Sequence, residues 1–193
     1  MSWRARLPVH ALGVAASIGS VLLAAGCGPA FTADRGSASG VTAAQVDAYV
    51  AQVESVRLSV NDLLEGADPI LEAYRSHEIT PDEASRRMGD LEAQFAIQLT
   101  NVEAIAPPQP TLEMIHGPYA HTYLLEDSYL SALTASLPHG DFEGLPDTQN
   151  EQRQAIIEWR TQLEVLARQT GAVLPDDLQQ AGRGEIAPSP TES

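Results

Sequence analysis

The sequence predicts an all-α fold, an antiparallel four-helix bundle with a long, kinked first helix. Three observations predict it. Apolar residues recur at helical spacing through four stretches of residues 42–171. Capping residues, prolines and glycines fall at the ends of those stretches. No run alternates with period two, and no Asn-Gly or Asp-Gly pair marks a hairpin.

The first helix opens with Thr42 and Gln45 in capping-box spacing. Its apolar positions are Val46, Tyr49, Val53, Val56, Val60, Leu63, Ala67, Ile70 and Tyr74, stepping by three and four without a slip. Such a heptad seam runs straight through Gly66 and Pro69, which predicts one helix over about 43–76, kinked there. The alternative is two helices, with Asp68 as N-cap and Pro69 as first helical residue. The second helix starts at Thr80-Pro81-Asp82-Glu83, an N-cap, an N1 proline and a capping-box glutamate. It buries Ala84, Met88, Leu91, Phe95, Leu99, Val102 and Ile105 and ends before Pro107 and Pro108. The turn Ser76–Ile79 is short enough to fold these two helices into a hairpin, in a bundle or in an extended coiled coil.

The third helix runs from near Thr111 to Leu137, with a disturbance expected at Gly117-Pro118. Leu112, Ile115, Tyr119, Tyr123, Leu130, Leu133 and Leu137 face inward. The fourth starts at Thr148 with Glu151 three residues on, buries Ile156, Trp159, Leu163 and Leu166, and stops at Gly171. The charged Arg86, Arg87, Glu92, Glu158 and Arg160 read as solvated faces. Domain boundaries follow: a targeting segment over 1–26, a tether over 27–41, the bundle over 42–171 and a largely disordered tail over 172–193.

Composition limits the function. The chain has 193 residues, 26 acidic against 11 basic, and a net charge of −15. All the basic residues are arginine. So acidic a chain has no basic face for phosphates, which argues against nucleic acid as a partner. The single cysteine excludes an internal disulfide framework, a Cys-rich metal site and covalent c-type haem.

Few residues are candidates for chemistry. A di-metal bundle needs two Glu-x-x-His motifs, and the chain offers one, Glu113-Met114-Ile115-His116. Glu113 fits equally well as a first-turn acid and His116 as a boundary residue. Glu126 falls on the apolar stripe of the third helix, and a slight rotation would bring it to the rim. If buried, it would raise its pKa or pair with a metal or a cation, for which Arg57, Arg87 and Arg160 are candidates. His116 and His121, five apart, do not share a helix face. Met88 reads as core filling, not as a haem ligand. The loop His139–Asp147 gathers carboxylates without EF-hand spacing. No nucleophile elbow, P-loop or dinucleotide fingerprint occurs. The expectation is no metal, no cofactor and no catalytic centre.

The N-terminus carries the strongest signal. Arg4 and Arg6 precede an uncharged, mostly apolar run over Ala11–Ala25, which ends in Leu22-Leu23-Ala24-Ala25-Gly26-Cys27. This resembles the lipobox of bacterial lipoproteins, with Ala24 where the family usually has leucine. The resemblance implies cleavage before Cys27 and its modification by a thioether-linked diacylglycerol, with an amide-linked acyl chain such as palmitate. It also implies a place at the extracytoplasmic face of the cell membrane, with the membrane as partner through the anchor. No other apolar run reaches spanning length. The rest of the chain looks like uncharacterised helical lipoproteins and supplies no activity. The expected function is therefore a non-catalytic bundle with an interaction or structural role in the cell envelope, an envelope protein being its partner. The alternative is a metal- or small-ligand-binding bundle.

Overall fold

A computed structural model of the chain describes residues 40–179 and 186–190. The expected targeting segment and most of the tether, residues 1–39, lie outside them. The described residues are helical with no strand. The bent first helix comprises α1 (Ala43–Glu65) and α2 (Ala67–Arg75), followed by α3 (Pro81–Glu103), α4 (Pro110–Ser136), α5 (Gln149–Thr170) and a 3-10 turn, Asp176–Gln179. Packing runs α1 to α3, α3 to α4, α4 to α5 and α5 to α1, so α1 lies diagonally opposite α4. This is the four-helix bundle with the bent first helix that the sequence predicts. None of the described helices is long and apolar enough to cross a membrane.

The helix ends follow the capping logic in part. At α1 the Thr42 hydroxyl accepts from the Gln45 main-chain N–H (3.4 Å), and the Gln45 side-chain Oε1 accepts from the Thr42 main-chain N–H (2.9 Å). At α3 Thr80 accepts from the Glu83 N–H at 3.2 Å and Pro81 is the first helical residue. The Glu83 carboxylate does not complete the box. Arg86 and Arg87 hold it instead, at 2.8 and 2.7 Å, and keep its pKa down at about 2. Thr148 makes no side-chain cap on α5, because its backbone is already helical (φ −99°, ψ −18°) whereas capping needs an extended residue. Gly171 ends α5 in the left-handed region, φ 80°.

The seam of the first helix shifts where the heptad reading has it constant. From Val60 the buried positions are Leu64, Ala67 and Leu71, while Leu63, Ile70 and Tyr74 sit half-exposed at the edge. A straight α-helix drifts from a strict seven-residue repeat, and the inward face moves on by one residue in that sense. The bend centres on Gly66, whose N–H reaches back to the Leu63 carbonyl (3.0 Å) in a tighter turn. Pro69 is third in α2, not first, and its missing N–H falls among donors that have no intrahelical partner anyway.

Two further expectations change. α4 runs unbroken through Gly117-Pro118. A Cβ on the residue before a proline is what crowds the helical conformation, and Gly117 has none. The tail expected over 172–193 is packed in part: Leu174, Leu178 and Ala187 are buried against the bundle, while Val173 is exposed. Leu174 and Leu178 are spaced to share one face of a turn, which supplies the reason.

Candidate functional site

The core is apolar at both ends and polar at two levels between. The first level is a hydrogen-bond relay that touches every helix of the bundle. The Trp159 Nε1–H on α5 donates to the Tyr49 hydroxyl on α1 (3.0 Å), which donates to His116 Nδ1 on α4 (3.2 Å). His116 Nε2–H donates to the Val102 carbonyl on α3 (3.1 Å). The two end bonds are fixed by chemistry, since an indole only donates and a carbonyl only accepts, and burial, which disfavours the imidazolium, leaves Nδ1 to accept from Tyr49. His116 is therefore a neutral tautomer protonated on Nε2. Burial lowers its pKa and so preserves that state, and burial likewise raises the pKa of Tyr49. Tyr119 stacks on Trp159 with ring centroids 4.1 Å apart, and its hydroxyl pairs with that of Tyr123 at 3.0 Å.

The second level is built on Glu126, which is 1% exposed. The expected rotation to the rim does not occur. The position is flanked along α4 by buried Tyr123 and Leu130, so turning it outward would expose them too. None of Arg57, Arg87 and Arg160 is its hydrogen-bond partner. Arg57 is itself buried and pairs with Glu54 at 2.5 Å, and Arg87 pairs with Glu83. Glu126 accepts instead from the Gln152 side-chain amide on Oε2 (2.6 Å) and from the Ala187 main-chain N–H on Oε1 (2.9 Å). Gln152 also donates to the Thr122 carbonyl at 3.2 Å. Desolvation dominates these two bonds and pushes the Glu126 pKa up to about 7. Beside the carboxylate lies a cavity of about 10 Å³, room for no more than one water.

The three sequence candidates for metal binding do not converge. Glu113 is exposed, His116 is buried in the relay, and Glu126 lies about ten residues, or ~15 Å, further along α4. Both nitrogens of His116 and both oxygens of Glu126 are engaged in hydrogen bonds. Among the described residues no group of three or more His, Cys, Asp or Glu side chains could hold a metal ion. His121 is exposed, away from His116, and Met88 is buried core. In the loop after α4, the Asp141 carboxylate accepts from the Glu143 N–H at 3.2 Å, an Asx turn.

Sequence reasoning missed Gln152 and read Arg160 as solvated, whereas both are buried. The signal for Gln152 was present, four residues before Ile156 and seven before Trp159, on the α5 stripe. Arg160 sits four after Ile156 and three before Leu163, on the edge of the same stripe. An outer groove of about 250 Å³ lies between α4 and α5, lined by the apolar Met114, Ile115, Val165 and Leu166 together with Thr111, Thr161 and Gln162. Met114 is 71% exposed there. No family model, curated protein or solved structure matches the chain.

Proposed function

We propose that the protein is a lipid-anchored, extracytoplasmic lipoprotein whose helical bundle serves a non-catalytic interaction or structural role in the cell envelope. The observation that carries this reading is the position of Cys27, the single cysteine of the chain, behind an apolar run and three small residues. The net charge of −15 supports it, since an acidic body is repelled by anionic headgroups and stands off on its anchor. The core supports the non-catalytic part: its titratable groups are spent on one another, on main-chain atoms and on Gln152. The exposed Met114 and Val165 groove is the kind of apolar, adaptable surface that partners use.

Metabolic labelling with a fatty-acid probe tests the anchor. The unaltered chain takes up label and partitions with membranes, and Cys27→Ser abolishes both the label and cleavage at that point. A processed, membrane-bound Cys27→Ser protein would defeat the reading.

A further inference from the structure

Residues 186–190, Ile-Ala-Pro-Ser-Pro, lie against α4 and α5 and are gripped through their main chain. Glu126 accepts from the Ala187 N–H (2.9 Å), Gln149 donates its side-chain amide to the Ala187 carbonyl (3.2 Å), and Tyr129 donates its hydroxyl to the Pro188 carbonyl (3.2 Å). The Ala187 methyl is buried beneath them. We propose that this cleft is a peptide-binding site for an extended segment with a small residue before a proline, which the chain's own tail fills in cis and a neighbouring envelope protein fills in trans.

Three features support an exchangeable occupant. The contacts read a main-chain N–H, two carbonyls and a methyl, none of them peculiar to this tail. Proline holds such a segment extended before it binds, and an aromatic residue with a polar tip is a usual reader of that shape. The clamp is also built on a carboxylate withdrawn from water, which is an expensive way to fasten a tail. A buried acceptor aimed at a main-chain donor is what recognition of a backbone requires. The tail, tethered to its site, competes at an effective concentration in the millimolar range. The inference deepens the interaction role proposed above, yet binding to the cleft and labelling at Cys27 are read separately, so either can fail alone.

The probe is a labelled peptide with the sequence of residues 185–191, and the target is the full chain. Ala187→Pro removes the N–H that Glu126 holds and leaves α4 and α5 unaltered, so it vacates the cleft. The Ala187→Pro chain is expected to bind the peptide at least tenfold more tightly than the unaltered chain. A peptide with proline in place of its alanine loses at least tenfold, and Tyr129→Phe in the vacated chain loses about fivefold. Equal binding by the two chains, or by the two peptides, would overturn the proposal. Hydrogen exchange guards against a tail that stays docked: the Ala187 amide of the unaltered chain is expected to be strongly protected, and exchange at the open-chain rate would overturn it too. A concentration-dependent dimer of the unaltered chain that Ala187→Pro abolishes would assign the cleft to a second copy's tail and overturn the choice of a different protein.

Discussion

At the scale of single residues the two polar levels pull stability in opposite directions with pH. Glu126 has its pKa raised by burial from 4.5 to about 7. Between those values the folded chain holds a proton that the unfolded chain has lost, so this group's contribution is full below about 4.5 and declines as pH rises to about 7. The linkage is worth ~3 kcal/mol. His116 does the reverse. Its pKa is lowered, so its contribution is full above the unfolded value of 6.5 and is lost as pH falls. Urea denaturation across pH 4–8 in Glu126→Gln should therefore show stability rising with pH more steeply than in the unaltered chain. An unchanged slope would mean that Glu126 ionises freely. Glu126→Leu should cost ~2–4 kcal/mol, since it orphans the Ala187 N–H and the Gln152 amide, and a neutral outcome would contradict both bonds. The spacing put Glu126 on the apolar stripe, but the rim was the expected place for it, because the cost of burying a carboxylate was weighed without the partners that offset it. Those partners were not legible, because Gln152 and Ala187 are 26 and 61 residues away in the chain.

At the scale of elements the helix types, the Thr42 and Thr80 caps and the inward apolar residues of α3 and α5 were readable from local pattern. The register of α1–α2 was not, since it depends on whether the helices supercoil. Two glycines test the packing in opposite senses. Gly66 has helical dihedrals (φ −69°, ψ −17°), where alanine would ordinarily stabilise. A Cβ there meets the Leu63 carbonyl oxygen at 2.9 Å, so Gly66→Ala should lose ~1–2 kcal/mol in thermal melts. Gly89, inside α3, would place its Cβ 3.5 Å from the Thr134 methyl, an ordinary contact, and Gly89→Ala should gain ~1 kcal/mol. α2 closes with a Schellman motif. The Glu78 N–H bonds to the Ala73 carbonyl (2.9 Å) and the His77 N–H to the Tyr74 carbonyl (3.2 Å). His77 occupies its left-handed position at φ 59°, so His77→Gly should stabilise by ~1 kcal/mol. A lower melting point for that variant would mean that the imidazole makes a contact worth more than the strain.

At the scale of the whole molecule an acidic surface surrounds a core whose four walls are tied by few polar bonds. The architecture was legible because four amphipathic stretches with short connections leave little else to build. The docking of the tail was not, since nothing in Ile186–Pro190 marks it as core. Apolar stripes alone do not choose among rival arrangements: helices can slide by a turn, or circle the axis with the opposite hand, and still bury leucine against leucine. The run from Trp159 through Tyr49 and His116 to the Val102 carbonyl acts like the pins of a lock. Each donor meets its acceptor at one axial offset and in one circular order, and a slip of one turn, ~5.4 Å, would strand several of them at once. Replacing Tyr49 with Phe and His116 with Leu should leave the far-ultraviolet helix signal intact while broadening the dispersed amide spectrum, as a bundle that has kept its helices and lost its single combination.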